Sequence, residues 1–234
     1  MFQIEQVSIA IVVIGLCLFF LWCHGQFKQI EKGNKEPSKL IVTVITYVQT
    51  IDQLVKDNMG PAYTPAMSAY IGAVFIYILL SNFAGLLAIP NPTGNLSVTL
   101  TLALITWIMV EAMKIRTLGV KGFFKSFFEP FSFFVIPNIF SEVAPVISLS
   151  MRLFGNILSG SIIMGLFYTF TAWVSSFLPF VGEFNFLGAV LAPVLHAYFD
   201  LFAGFLQSFI FISLTTVLIA VEPVSYTHLR AHET

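Results

Sequence analysis

Two long stretches of this chain contain no charged side chain. No Asp, Glu, Lys or Arg occurs between Asp57 and Glu111, or between Arg152 and Glu183. Soluble globular proteins carry about 25% charged residues, whereas here charged residues make up 10% and hydrophobic residues 57% of 234 residues. Because the hydrocarbon layer of a bilayer rejects charge and unpaired backbone, the pattern predicts an all-α integral membrane protein.

Several other classes of protein are not suggested by the composition. The chain has 11 basic and 12 acidic residues, so its charge gives no indication of nucleic-acid binding. Cys17 and Cys23 both lie in the first apolar run and form neither a disulfide framework nor a metal cluster. No metal-ligand cluster, glycine-rich phosphate loop or nucleophile–base pair is present, so we expect no metal, no cofactor and no catalytic site.

The apolar segments predict a single membrane domain over residues 1–223. We place the membrane segments at about 7–23, 69–89, 96–113, 131–176 and 186–221. Between the first two, apolar residues at helical spacing predict an amphipathic helix at about 40–57 that lies in the membrane interface; a small soluble cap is the alternative. Residues 224–234 are polar and patternless, and we interpret them as a tail that is frayed or foreign to the protein.

The last two segments are longer than a bilayer is thick. Residues 186–221 would form a straight helix of about 54 Å, against about 30 Å of hydrocarbon. The pair must therefore tilt strongly, lie partly in the membrane plane, or break. Pro137 and Pro145 are candidate breaks in the first segment, and Pro193 is a candidate kink in the second. We favour a strongly tilted helical hairpin, which gives about five membrane segments in all.

The basic residues predict the orientation. Nine of the eleven lie after the first and third segments, the latter group beginning at Lys114, and none lies in the turn at 90–95. The positive-inside rule then places the amino terminus outside and the carboxy terminus in the cytoplasm of a plasma membrane. Glu111, close to the second basic group, is expected to reach water.

Three charged residues lie in apolar parts of the hairpin: Glu142, Arg152 and Asp200. An arginine at the centre of a membrane helix costs about 2.5–3.5 kcal/mol on insertion scales. Ser148, Asn156 and Gly160 follow the spacing of four that puts them on the same helical face as Arg152, and their small size allows a second helix to approach.

The second arm carries a matching polar stripe. His196, Asp200 and Gln207 are separated by four and seven residues, and two facing stripes with titratable groups suggest an ion or proton path. Simpler interpretations remain for individual residues. Arg152 would then only neutralise an internal acid, His196 would be a satisfied interfacial histidine, and Glu142 would either line the path or cap a broken helix.

Other polar residues in the membrane segments favour a structural role. Asn82 in the second segment and Thr99, Thr101 and Thr106 in the third are expected to form hydrogen bonds between helices.

The segment 148–160 resembles the signature of subunit a of F-type ATP synthases. It reads Ser-Leu-Ser-Met-Arg-Leu-Phe-Gly-Asn-Ile-Leu-Ser-Gly. Residues 204–211 resemble the last helix of that family, and residues 92–104 resemble the beginning of its third span. The matches occur in the family's order and cover most of the chain from about residue 80 to 221. The Arg-Leu-Phe-Gly-Asn string, followed by Gln207 in the next long helix, is the most specific part.

The resemblance implies a stator subunit, non-catalytic by itself, of a bacterial plasma-membrane complex. Its partners would be the ring of c subunits, the peripheral-stalk subunit b, the remaining ATP synthase subunits and membrane lipid. Two half-channels would carry H⁺ or Na⁺ to and from the ring carboxylates. Arg152 matches the family's essential arginine, Asn156 and Gln207 match its polar neighbours, and Asp200 matches a titratable half-channel position. Ser161 departs from the pattern, since many members carry Glu or His there.

Two other classes compete with this interpretation. A stand-alone secondary transporter would use Arg152 to bind an anionic substrate, and it predicts uptake without partners. An intramembrane enzyme built on His196 and Asp200 would need a nucleophile or a metal site, and the sequence offers none.

Overall fold

The structure is a computed structural model. It describes residues 4–33, 36–61, 64–87, 89–128, 131, 133, 135–177 and 185–231. The helices are α1 (Ile4–Glu31), α2 (Lys39–Met59), α3 (Thr64–Phe83), α4 (Leu96–Ser126), α5 (Val135–Ser175), α6 (Phe186–His196) and α7 (Gly204–Ala231). No strand occurs within these ranges, and five segments are long and apolar enough to cross a membrane. The prediction of an all-α membrane protein with about five membrane segments is confirmed.

The helix predicted at 40–57 is present as α2. Ser38 caps its amino terminus by accepting a hydrogen bond from the backbone of Ile41, and Gly60 ends it at a φ of 83°, where a glycine avoids strain. Ile51 and Val55 on its apolar face pack against α3 and α7. Part of the face that we expected to meet the membrane interface is therefore covered by the bundle.

The turn at 90–95 is built into the bundle rather than standing free. Residues Pro92–Gly94 form one turn of 3₁₀-helix, and Asn95 then caps α4 by accepting a hydrogen bond from Ser97. Thr93 is fully buried and donates a 2.9 Å hydrogen bond to the side chain of Asn82 in α3. The turn thus fixes the ends of two membrane helices relative to each other.

Helix α4 continues beyond the predicted end at residue 113. It runs to Ser126 with a kink at Gly119, whose φ of 73° is a backbone conformation that favours glycine. The candidate span within it is Leu96–Arg116. Lys114, which we assigned to the loop, is therefore inside the membrane helix.

The two arms of the hairpin differ in regularity. Helix α5 runs for 41 residues without a break, although Pro145 lies inside it. A break at Pro137 or Pro145 is therefore wrong. The second arm is interrupted, because residues Ala197–Ala203 form a π-helical segment between α6, which contains Pro193, and α7.

The remaining part of the second arm extends further than expected. Helix α7 continues to Ala231. The backbone of the tail predicted at 224–234 is therefore helical as far as Ala231. Glu183, the remaining charged residue between the two arms, lies outside the described residues.

Four helices meet in the largest apolar cluster. Its buried members come from α3, α4, α5 and α7: Val74, Ile78, Ala103, Val146, Leu149, Leu153 and Phe211. Polar bonds join the same helices, since Thr99 contacts Ser150 at 3.4 Å and Thr106 contacts Tyr70 at 3.0 Å. The expected interhelical role of these threonines is confirmed, whereas Thr101 bonds within its own helix to the carbonyl of Ser97. This core holds the first half of α5 rigidly against three other helices.

Candidate functional site

Arg152 lies on the outer surface of the bundle. Its Nη2 donates a 3.4 Å hydrogen bond to the hydroxyl of Ser148, one turn earlier on α5. Within the part of the chain that the structure describes, Arg152 forms no ion pair, because Asp200 pairs with His196 and Glu142 pairs with Lys114. Neither of the other two charged residues in the apolar parts of the hairpin, Glu142 and Asp200, forms an ion pair with the guanidinium. The guanidinium presents its charge outward.

A cavity of about 190 Å³ lies on one side of Arg152 along α5, and we call it the Asp200 cavity. Three of the predicted site residues line it: Asn156, His196 and Asp200. Ser161 also lines it, so the position without a titratable group faces the acid of the other arm. The two polar stripes that the sequence predicted therefore meet at this cavity, with Asn156 and Gly160 on one arm and His196 and Asp200 on the other.

His196 and Asp200 form a hydrogen-bonded pair on the second arm. His196 Nδ1 and Asp200 Oδ2 are 2.6 Å apart, and the side chains are 35% and 19% exposed. The other ring nitrogen, Nε2, is 2.9 Å from the hydroxyl of Tyr168 on α5. Both nitrogens of His196 are therefore engaged, one on each arm of the hairpin.

Gln207 does not follow the stripe. Its side chain is buried, and its amide nitrogen has no hydrogen-bond partner among the described residues. The prediction assumed an unbroken α-helix from His196 to Gln207, but the π-helical segment changes the residue-per-turn count between them. Asp200 consequently lines the cavity while Gln207 lies inside the bundle.

The buried side-chain amide of Asn82 holds the second arm directly after the π-helical segment. Asn82 donates to the carbonyl of Gly204 at 3.0 Å and to the hydroxyl of Ser208 at 3.4 Å, and it accepts from Thr93. Gly204 allows this approach, since a Cβ there would lie 3.0 Å from the Cβ of Asn82. The expected interhelical bond of Asn82 is confirmed, and it anchors one wall of the Asp200 cavity.

A second cavity of about 140 Å³ lies on the other side of Arg152, and we call it the Glu142 cavity. Lys114 of α4 lines it with only 4% of its side chain exposed, and it pairs closely with Glu142 of α5. Glu111 lies one turn before Lys114, with 3.7 Å between carboxylate and ammonium. The cluster joins α4 and α5 by charge.

The sequence-based view of these three residues needs correction. Glu111 was expected to reach water but is only 8% exposed. Lys114 was counted with a basic loop but is buried in an ion pair. Glu142 caps no broken helix, because α5 is continuous at that point.

Lys114 and Tyr168 were both missed by sequence reasoning. A signal for Lys114 existed, since it follows Glu111 by three residues at the end of an apolar run, where the two would pair on one face. No local signal marks Tyr168, because its partner His196 is 28 residues away on the other arm.

Burial also affects one group outside the membrane segments. The hydroxyl of Tyr47 in α2 donates a 2.7 Å hydrogen bond to the carbonyl of Gly72 in α3. Desolvation by the surrounding helices raises the pKa of this phenol. Tyr47 therefore serves as a neutral hydrogen-bond donor that ties α2 to α3.

Comparison with known proteins identifies the family. The family model for the ATP synthase A chain matches residues 7–220. The sodium-ion-specific ATP synthase subunit a of Propionigenium modestum is 31% identical over 92% of this chain and 72% of the relative. ATP synthase subunit a of Mycoplasma genitalium is 36% identical over 90% of this chain and 76% of the relative. The corresponding protein of Acidothermus cellulolyticus is 29% identical over 96% and 77%.

The match covers nearly the whole chain, including α5 with Arg152 and the interrupted second arm. The apolar helices and this match agree on a membrane protein of ion transport and ATP synthesis. The chain belongs to the ATP synthase subunit a family, a component of the membrane sector of the enzyme.

Proposed function

We propose that this chain is the ion-translocating stator of its complex, with Arg152 as the residue that separates two half-channels. One observation carries the proposal. The Asp200 cavity and the Glu142 cavity both border α5, one on each side of Arg152, and Arg152 is not among the residues that line either. Along the helix, Glu142 and Ser161 lie about 15 Å and 14 Å from Arg152.

The exposed position of Arg152 supports a partner at this surface. Large apolar side chains are exposed beside it on α5, including Ile147 and Met151, and on the second arm, including Leu201 and Phe205, each more than 45% exposed. A charged group on an apolar surface at membrane depth needs a counter-charge from outside the chain. A ring of c subunits that presents carboxylates would provide it, with peripheral-stalk subunit b and the other ATP synthase subunits completing the assembly.

The electrostatics give the coupling. A ring carboxylate must be neutral, with H⁺ or Na⁺ bound, to pass through lipid. At ~4 Å from Arg152 its charged form gains about 4 kcal/mol at an effective dielectric constant near 20, so the ion leaves there. Each charge that crosses 100 mV supplies about 2.3 kcal/mol, so several crossings are needed for one ATP, and rotation adds them.

The site residues then take defined roles. Asp200, with His196, exchanges the ion in one half-channel, and Glu142 borders the other. Asn156 lines the path beside Arg152, and we assign to Gln207 the role that the family resemblance implies, a polar neighbour that helps position the arginine. With the amino terminus outside, the Asp200 cavity opens outward and the Glu142 cavity opens to the cytoplasm.

Replacement of Arg152 tests this proposal. In the complete complex, reconstituted in vesicles, Arg152→Ala abolishes ion-driven ATP synthesis while the complex still assembles. Arg152→Lys also fails or nearly so, because an ammonium lacks the width and the permanent charge of the guanidinium. Arg116→Ala is the matched control, since it removes an exposed arginine at the end of the candidate membrane span within α4. Coupled synthesis at the normal rate in Arg152→Ala would show that the proposal is wrong.

A further inference from the structure

Three side chains form a continuous hydrogen-bonded chain across the two arms of the hairpin. Tyr168 of α5 contacts His196 Nε2 at 2.9 Å, and His196 Nδ1 contacts Asp200 at 2.6 Å. When the Asp200 carboxylate is ionised it can only accept, and Nδ1 of His196 then donates to it. In the neutral ring Nε2 is then an acceptor, and the hydroxyl of Tyr168 donates to it.

The chain has a direction along the hairpin. Asp200 and His196 line the Asp200 cavity, and Tyr168 is not among the lining residues. On α5, Tyr168 lies seven residues beyond Ser161 and sixteen beyond Arg152, which is about 24 Å of helix from the arginine. The order from the connecting turn toward Arg152 is therefore tyrosine, imidazole and carboxylate, and the last two lie at the wall of the cavity.

The connecting turn holds the first member of this order in place. The side chain of Asn185 donates to the backbone carbonyl of Tyr168 at 3.3 Å and to the hydroxyl of Thr171 at 3.0 Å. Asn185 also caps α6 by accepting a hydrogen bond from the backbone of Gly188 at 2.8 Å. One residue thus sets the end of α5 relative to the beginning of α6, the helix that carries His196.

We propose that Tyr168 is the outer member of a proton relay, Tyr168–His196–Asp200, that feeds the half-channel on this side of Arg152. The inference rests on the proposed function and adds to it a residue and the chemical form in which the ion travels. His196 supplies on the second arm the titratable group that Ser161 does not supply on the first.

The relay balances proton by proton. The O–H bond of Tyr168 breaks as an N–H bond forms at Nε2 of His196, and the N–H bond at Nδ1 breaks as an O–H bond forms on Asp200. A hydronium ion at the tyrosine end donates a proton to the tyrosine oxygen and leaves water. Asp200 then passes its proton on toward a carboxylate of the c-ring. The imidazole loses the proton on Nε2 to water and gains one on Nδ1 from water in the Asp200 cavity, which restores the starting state. Only a proton can be passed by this exchange, since a sodium ion needs oxygen ligands at each step.

Tyr168→Phe is the primary test, because it removes the hydroxyl and keeps the ring. The complete complex is reconstituted in vesicles, and ATP-driven pumping is measured per assembled complex. We expect Tyr168→Phe to slow pumping several-fold and His196→Ala to slow it at least tenfold. Tyr198→Phe is the matched control, since Tyr198 packs its ring against Phe199 and Phe202 on the same arm.

Rescue separates a relay from a structural contact. Imidazole added on the side to which the Asp200 cavity opens restores pumping in His196→Ala, because it carries protons to Asp200, whereas a structural defect would not respond. We expect the pumping rate of the unchanged complex to be independent of the Na⁺ concentration at constant pH. Normal pumping in Tyr168→Phe, no response to imidazole, or a requirement for Na⁺ would each overturn the relay. If any of these results were found while Arg152→Ala still lost coupling, the relay would be wrong but the proposed stator function would be retained.

Discussion

The Asp200 cavity and the Glu142 cavity border the same helix but are built from different chemistry. In the Asp200 cavity, amides, a hydroxyl and a partly exposed His–Asp pair line the wall. In the Glu142 cavity, a lysine with 4% exposure sits between two carboxylates, and the surrounding wall is largely apolar. In the Asp200 cavity the acid bonds to a histidine of its own arm, whereas in the Glu142 cavity the charges form an ion cluster that joins α4 to α5.

The comparison teaches that charge serves two purposes in this membrane bundle. A buried ion cluster costs desolvation and is sensitive to the loss of one partner, so Lys114 and Glu142 should matter first for how α4 holds α5. The bond between His196 and Asp200 lies within the second arm and holds no two helices together, so this pair should matter first for transport. The following predictions separate stability from transport at each cavity.

The largest effect on stability is expected at the Glu142 cavity. Lys114→Met removes the cation shared by the buried Glu111 and the partly exposed Glu142, which costs up to about 3–5 kcal/mol. We expect less assembled complex and a lower thermal midpoint of the purified complex. Lys114→Arg keeps the charge and should retain most of the stability.

Lys121→Met provides the matched control for this change, because Lys121 is exposed on the same helix beyond the kink. It should leave the thermal midpoint unchanged. Equal midpoints for Lys114→Met and Lys121→Met would mean that the ion cluster does not hold α4 to α5.

An intermediate effect is expected at the wall of the Asp200 cavity. Asn82→Ala removes the acceptor of Thr93 and a donor to Gly204, and an unsatisfied buried group costs about 1–3 kcal/mol. The thermal midpoint should fall by less than in Lys114→Met. Asn58→Ala, which removes an exposed amide from α2, should have no effect; a similar fall in both variants would contradict the anchoring role.

The smallest effect on stability, with a clear effect on transport, is expected for Asp200→Asn. The amide keeps the shape and removes the proton site, so pumping per assembled complex should fall at least about tenfold while assembly stays normal. Ser161→Glu should partly restore pumping in this background. If Asp200→Asn instead lowered assembly and left pumping per complex intact, Asp200 would belong with the structural charges.

Much of the fold follows from the sequence because the bilayer imposes simple rules. The long stretches without charge predicted the membrane helices. The turn-forming residues predicted the connection at 90–95, and apolar residues at helical spacing predicted α2. The stripe of Ser148 and Arg152 is present because α5 is an unbroken helix, for which a spacing of four is reliable.

The rest depended on geometry that no local pattern encodes. The π-helical segment at Ala197–Ala203 changes the number of residues per turn in the second arm. Asp200 therefore lines the cavity as predicted, whereas Gln207 does not. The partner of Glu142 comes from a different helix, and that of Tyr168 from across the hairpin. Such pairs are set by tertiary packing. A basic residue that follows an apolar run, such as Lys114, is typical of a loop, and only the position of α5 shows that it is buried in an ion pair.

The central claim is that the two cavities on α5 open to opposite sides of the membrane with Arg152 between them. Ser161 and Ser141 line the Asp200 and Glu142 cavities respectively, and each can be replaced by cysteine in a variant whose Cys17 and Cys23 are serine. A membrane-impermeant thiol reagent is then applied to one side of vesicles that contain the complete complex. The account predicts that Ser161→Cys reacts only from outside and Ser141→Cys only from the cytoplasmic side. Reaction of both cysteines from the same side would contradict it.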